Sequence, residues 1–423
     1  MSEQELIIGL DLQDDFSQLS YSKDLSMKPE TILVEGKEEN YLIPTVVGLR
    51  KDIKRWVYGQ EALQLEKEAR ADLVKDLLDR IKRQERIELY GSSFSPSYLM
   101  ERFLYRILME IKKKWPGKTI LQLVITVESM DPNLVEVIYK ALENLGLKKD
   151  RVKIQSHLQS YVYYALSQDP DLWMNDIGLF DFNKNGLTYT QILIQRRNTP
   201  YFAEVYSKEY KNLLKHNLLE EEGVKENLGY ILENVIKDAL YKQIVSTIYF
   251  TGIFFLNGIP EYTLNNISQG RRVFVGQNLY CKGACYFGQK LSGGKGLDNI
   301  ILLLDDTIHY SISIKGYDKE GEKEIFLAEV GTPLYESPSR TELILDNEDK
   351  VLYTIRDKHG HIIKEDIIIL DNLPIRPNKT TRIELLLFFL NKSRFKIQIK
   401  DKGFGEMYPA SNQVWEKEVV IHG

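Results

Sequence analysis

The pattern of apolar and polar positions divides the chain into two regimes. In roughly the first three hundred residues, short apolar runs alternate with stretches whose apolar residues recur three and four apart, predicting strands alternating with amphipathic helices. Residues 5 to 11, "ELIIGLD", read as a strand, and "YLIPTVVGL" and "RWVYG" as further β segments of a small meander. From Glu61 to Arg86, "EALQLEKEARADLVKDLLDRIKRQER" keeps helical spacing with charge on the opposite face, which predicts one helix. A second helix runs from about Pro96 to Lys114. "TILQLVITVES" is then a buried strand, and "DPNLVEVIYKALENLGL" a helix opened by Asp131-Pro132 and closed by Gly146. "RVKIQS" is a strand leading into the helix "HLQSYVYYALSQ".

The alternation starts again after Trp173. "DIGLFDFNKNGLTYTQILIQ" reads as strand, turn and strand, and helical "ENLGYILENVIKDALYKQI" leads into the strand "STIYFTG". A helix at "EYTLNNISQ", a strand at "RRVFVG" and a helix at "CKGACYFGQ" close this half. Two such halves, each opening on a strand with a Gly/Asp-bearing turn, predict a two-lobed α/β domain with a ligand cleft between the lobes. After the glycine-rich "LSGGKGLDN" the character changes. Short strands separated by Asp, Asn, Gly and Pro turns run to the C-terminus, as in "HYSISIKGYD", "KVLYTIRD" and "RFKIQIKDKG", and predict a separate all-β sandwich. The boundaries expected are 1–292 for the α/β domain, 293–306 for the joint and 307–423 for the sandwich.

Composition narrows the class. With 43% hydrophobic and 28% charged residues over 423 positions and a formal charge of −5, the chain reads as a globular protein of two or three domains with no nucleic-acid partner. No signal-peptide pattern and no apolar run of membrane-spanning length occurs, so the cytoplasm is the expected compartment, with no membrane partner. Cys281 and Cys285 have no further Cys or His beside them to complete a zinc site and read as small buried residues, with a redox pair as the alternative.

The order of elements resembles the seventy-kilodalton heat-shock chaperones of the actin-like ATPase superfamily over nearly the whole chain. "IILLLDDT", with Leu302, Leu303, Leu304 and Asp305, looks like that family's interdomain linker. "DIIILDNLPIRPNKTTRIELLLFFLNKSRFKIQIKDKGFGE" looks like the last strands of its peptide-binding sandwich. In the first domain "GLDLQDDFS" falls at the family's first phosphate loop, "KIQSHLQSYVYYAL" at the segment bearing the catalytic glutamate, and "LFDFNKNGLTY" at the second phosphate loop. "YFTGIFFLNGIP" falls at the adenosine loop and "CKGACYFG" at the closing helix. The resemblance implies an α/β two-lobed actin-like ATPase fold followed by a peptide-binding β-sandwich. About seventy residues between Asp181 and Thr251 imply a reduced second lobe, and the short stretch after Glu406 implies no helical lid.

Against the family's pattern the nucleotide motifs are altered. Where the first phosphate loop has a Gly and two Thr, this chain has Gln13, Asp14 and Asp15, and two carboxylates repel a triphosphate. The second loop's glycines become Asn183, Lys184 and Asn185 before Gly186, which restricts the N–H convergence that phosphate needs. The family's lysine position falls at Leu63 and its catalytic glutamate at Ser156, and Ile253, Phe254 and Phe255 crowd the adenosine loop after Gly252. Asp11 and Asp181 hold the two positions that in the family arrange water around the metal; they read either as a relic cation site or as turn caps at strand ends. Lys184 either replaces a lost phosphate contact or is a solvated loop lysine.

Two functions follow. One is a pseudo-ATPase scaffold, chaperone-like and non-catalytic, that binds a protein or an extended peptide. The other is an active ATPase using ATP and magnesium with altered phosphate-loop chemistry, in which Asp14 or Asp15 helps hold a metal or serves as a base. A sugar-kinase-like enzyme ranks third, since that branch lacks the sandwich. Ile308, Ile312 and Ile314, at the start of the sandwich, read as core rather than as the lining of a peptide groove.

Overall fold

A computed structural model describes residues 4–33, 41–196, 199–210, 224–256, 258–318, 321–334 and 339–421. The chain forms two compact units, Met1–Leu193 with Tyr206–Asp298, and Ile194–Val205 with Asn299–Gly423.

The first unit is mixed α/β and traces the same path twice. β1 (Glu5–Leu12) and β2 (Phe16–Ser22) form an antiparallel hairpin, and β3 (Thr119–Val127) and β4 (Val152–Ser156) add in parallel beyond β1, in the order β4-β3-β1-β2. β5 (Asp176–Asn183) and β6 (Gly186–Gln195) form the second hairpin, and β7 (Val245–Thr251) and β8 (Arg272–Val275) add in parallel in the order β8-β7-β5-β6. The opening strand is buried from Leu6 to Leu12, which is why it reads as a near-continuous apolar run rather than an alternating one.

One interruption was not legible. The helix expected over Glu61–Arg86 is instead α1 (Gly59–Lys67), a strand Ala71–Val74 and α2 (Leu77–Lys82). Ala69 and Asp76 mark the breaks, with φ of 57° and 54°. Ala71–Val74 pairs antiparallel with Val47–Arg50, whose other side is taken by Trp56–Tyr58. A few tenths of a kcal/mol per residue of helix propensity is outweighed by completing that sheet and burying Ala71 and Val74.

The remaining helices pack as their apolar stripes dictate. α3 (Pro96–Lys114) and α4 (Pro132–Asn144) bury Phe103, Ile107, Ile138 and Leu142 in one core with Leu6, Ile8, Leu123 and Ile125. Ser95 and Asp131 cap their first turns, each accepting a backbone N–H three residues on. α5 (His157–Leu166) follows β4. In the second half α6 (Val224–Ala239) and α7 (Glu261–Ile267) place Leu232, Val235, Ile236 and Ile267 against Phe180, Phe182 and Phe250. α8 (Leu279–Leu291) wedges against β1 and α5 through its small residues: a Cβ on Gly283 would lie 1.8 Å from the Ser160 carbonyl oxygen, and one on Gly9 2.0 Å from that of Cys281. Cys281 and Cys285 are fully buried free thiols; burial pushes both far up, so they stay neutral.

In the second unit two four-stranded antiparallel sheets share one core. One has the order β10-β9-β12-β13, from β9 (Tyr310–Asp318), β10 (Gly321–Ala328), β12 (Lys350–Asp357) and β13 (Ile362–Ile369). The other has the order β11-β14-β15-β16, from β11 (Ser339–Ile344), β14 (Arg382–Asn391), β15 (Arg394–Gly403) and β16 (Val414–Val420). Ile312, Ile314, Tyr353 and Ile355 of the first meet Ile383, Leu385, Ile397 and Ile399 of the second. Ile308, Ile312 and Ile314 are buried in this core. The leucine run is not a free tether: Ile300–Leu303 is a strand paired in parallel with Tyr201–Glu204, Leu303 and Leu304 are buried, and exposed Asp305 pairs with Lys392.

Candidate functional site

The doubled strand path of the first unit brings two equivalent aspartates together. Asp11, near the end of β1, stands opposite Thr126 of the parallel neighbour β3; Asp181, in β5, stands opposite Thr251 of β7. Each half supplies a ring to its own aspartate from the helix that follows its last parallel strand. His157, first residue of α5, meets Asp11 Oδ1 through Nε2 at 2.8 Å, and the Tyr280 hydroxyl of α8 donates to Asp181 Oδ2 at 2.6 Å. The two rings stack at 4.1 Å with their planes 10° apart. Gln13 donates to the second oxygen of Asp11 at 2.7 Å.

Burial and charge tune these groups. Burial works against a charged His157 ring, but the Asp11 carboxylate outweighs it and raises the imidazole above its ordinary value. Burial lifts Asp181 to about 6 although Tyr280 and His157 favour its anion, and burial next to that carboxylate drives the Tyr280 hydroxyl well up. Burial keeps the Tyr280 hydroxyl protonated, so it stands as a donor to Asp181.

The two hairpin tips are tied together across the cleft. Lys184, in the two-residue turn between Asn183 and Gly186, forms an ion pair with Asp15 of the first loop. Asn185 beside it donates to both Glu128 oxygens, at 2.9 and 3.1 Å. Asn183 and Gly186 shape the turn: the Asn183 oxygen accepts from the Asn185 N–H at 2.8 Å, and Gly186 has φ of 111°. Lys184 is a half-exposed loop lysine engaged in an ion pair.

Asp14 does not line the cleft pocket; it accepts from the Leu78 N–H at 2.8 Å and caps α2, whose own N-cap residue Asp76 makes no side-chain cap. Burial and Asp79 raise it to about 6, above the ordinary carboxylate value of about 3.9. The folded state thus holds this proton more tightly, and stability from this group falls as pH rises from about 4 to about 6. Asp14→Asn keeps the accepting oxygen without the charge, so it should stabilise by roughly 1–3 kcal/mol at pH 7 and by nothing at pH 4. Thermal melts of both proteins across that range check this; a variant less stable at pH 7 would show that the charge itself is needed.

Between the hairpins lies a pocket of about 40 Å³, lined by Gln13, Asp15, Gln18, Asp181, Thr251 and Gln277 among others, with Phe16, Leu42, Ile253 and Leu256 as its apolar part. That is room for about three waters. Gly252, with φ of 103°, lies so close to β5 that a Cβ would meet the Phe182 oxygen at 2.3 Å, and Gln277 clamps its N–H and C=O. Leu63 packs in a small cluster with Val57 and Ala62, and Ser156 caps α5 in a reciprocal pair with Gln159. Neither can activate water or steer a phosphoryl oxygen. The hairpin tips beside this pocket are bridged by Lys184 and Asp15, and among the described residues no group of three or more His, Cys, Asp or Glu could hold a metal ion by itself.

Of the residues singled out from sequence, the fold gathers Asp11, Gln13, Asp15, Asp181, Asn183, Lys184, Asn185, Gly186 and Gly252 around this cleft and diverts Asp14 to α2. Sequence reading missed His157, Tyr280, Glu128, Gln18 and Thr251. The one available signal was position: His157 and Tyr280 both open helices that follow a strand, in corresponding places of the two halves.

Comparison with known families names neither a chaperone nor an ATPase. A domain of unknown function, DUF8552, matches residues 307–421. No curated protein matches the chain. Among the described residues no helix is long and apolar enough to cross a membrane. The family of unknown function DUF5716, C-terminal, matches residues 28–305, more than half of the chain, and the chain belongs to that family.

Proposed function

We propose that this chain is a divergent relative of the seventy-kilodalton heat-shock chaperones whose ATPase-type cleft no longer handles nucleotide, and that it acts as a non-catalytic scaffold for a protein or extended peptide. The observation that carries the reading is the ion pair of Lys184 with Asp15, which joins the two loops that correspond to phosphate loops. The one lysine of these loops that could meet a phosphate is spent on the opposite loop's carboxylate. The twice-traced strand path is in keeping with an actin-like fold, and the two antiparallel sheets sharing a core with a peptide-binding sandwich. The cytoplasm is the compartment that goes with this reading.

Titration calorimetry of the full-length protein with ATP and ADP plus magnesium tests it. The expected result is no saturable heat up to about 1 mM nucleotide and no phosphate release above buffer. A dissociation constant below about 100 μM, lost on Asp181→Ala, would overturn it. Labelled apolar peptides should bind weakly by fluorescence anisotropy, with dissociation unchanged by ATP.

A further inference from the structure

The cleft pocket keeps hydrogen-bonding capacity that the protein leaves unused. Gln18 is 4% and Thr251 2% exposed, and both line the pocket. Neither the Gln18 amide nitrogen nor the Thr251 hydroxyl has a partner among the described residues, and the Gln18 oxygen has only a Cys281 S–H contact at 4.0 Å. Asp181 meets Tyr280 through Oδ2 and leaves Oδ1 toward Gly252. None of these atoms is sealed from solvent as a buried polar atom without a partner, so they face the pocket and are free to meet whatever enters it.

Charge and shape restrict that partner. The lining holds Asp15 and Asp181 and no lysine or arginine; Asp15 is paired with Lys184, while Asp181 meets only the Tyr280 hydroxyl among the lining residues. Phosphate and carboxylate ligands are thereby disfavoured. A bare metal ion lacks the three acidic or imidazole ligands it would want. An ammonium head, with three N–H donors and one charge, suits one carboxylate surrounded by amide and hydroxyl oxygens, and the Gln18 amide can turn its oxygen inward. Leu42, Ile253 and Leu256 offer apolar surface for a short stem, and the volume suits an ammonium with two or three methylenes.

We infer that this pocket binds a primary alkylammonium group, held by Asp181, Gln18 and Thr251, with its first methylenes against Leu42, Ile253 and Leu256. The inference rests on the reading of the cleft as closed to nucleotide. The head belongs either to a free small amine or to the lysine side chain of a bound protein.

Methyl NMR of the full-length protein at pH 7.5, following Ile253 and Leu42, tests it in separate titrations with n-butylamine, a lysine-containing peptide, the same peptide with glutamine for lysine, and ATP with magnesium. Saturable shifts with butylamine are expected, weakened about tenfold by Asp181→Asn and severalfold by Thr251→Val, with melting curves confirming that both variants fold. Tighter binding of the lysine peptide, with none of its glutamine counterpart, supports the protein source; shifts with butylamine alone support the small amine. Silence to every amine up to about 50 mM, or shifts that both substitutions leave unchanged, overturns the inference. Silence to amines together with silence to ATP leaves the closed-cleft reading standing, whereas micromolar ATP binding removes both.

Discussion

Gly283→Ala is expected to destabilise the first unit by about 3 kcal/mol or more, and Gly283→Val to prevent its cooperative folding. The added methyl would sit 1.8 Å from a backbone oxygen of α5, that of Ser160, and backbone cannot rotate aside as a side-chain tip can. Relief requires α5 and α8 to part, which also unstacks His157 from Tyr280. Gly9→Ala should behave alike, since its methyl meets the Cys281 oxygen at 2.0 Å and takes the place of the Ser20 hydroxyl that donates there. Gly276→Ala, which points into open space, is the control and should stay within about 0.5 kcal/mol of the parent. Thermal melts followed by circular dichroism decide the matter. Equal stability of Gly283→Ala and Gly276→Ala would mean that the helices are not in close contact.

Asp401→Ala should be the most damaging single change in the second unit, at about 3–5 kcal/mol. Arg376 and Asp401 form a two-pronged pair, 2.8 Å on each side, with side chains 6% and 0% exposed. Asp401 also accepts the N–H groups of Gly403 at 2.9 Å and Ser411 at 2.7 Å, while Arg376 donates to the Pro409 oxygen at 2.7 Å. Removing the carboxylate strands a buried guanidinium, the buried Gly403 N–H and the part-buried Ser411 N–H; removing the guanidinium strands less, so Arg376→Met should cost less. Burial alone would raise the Asp401 carboxyl, but Arg376 and these N–H groups hold it well below the ordinary range. Its contribution is therefore complete above about pH 4 and is lost only as pH falls further, through the depressed folded value. Hydrogen exchange in peptides from 382–420 reads the effect. Protection there unchanged by Asp401→Ala at pH 7 would refute it.

Strand and helix identities were legible because one period rules each segment. β1 reads as a strand since both its faces are buried, and α3 and α4 announce their starts with Ser95-Pro96 and Asp131-Pro132. The stretch 61–86 was misread because its apolar spacing satisfies a helix equally well, and the need of Val47–Arg50 for a second neighbour lies outside the window. In the site, the acidic pair Asp14-Asp15 marked the first loop as unsuited to phosphate. It could not announce that one of these carboxylates caps a helix sixty-four residues away while the other meets Lys184 across the cleft.

The sequence by itself determined the alternation of elements and the change to short strands near residue 300. These are properties of local periodicity and residue type, which neighbours in the chain suffice to express. Only the tertiary structure decided which side chains meet at the cleft. The meeting of His157 with Tyr280, each turned toward the aspartate of its own half, depends on α5 and α8 approaching to the limit that Gly283 allows. Contacts across more than a hundred residues are fixed by the packing of the whole unit, and no local pattern encodes them.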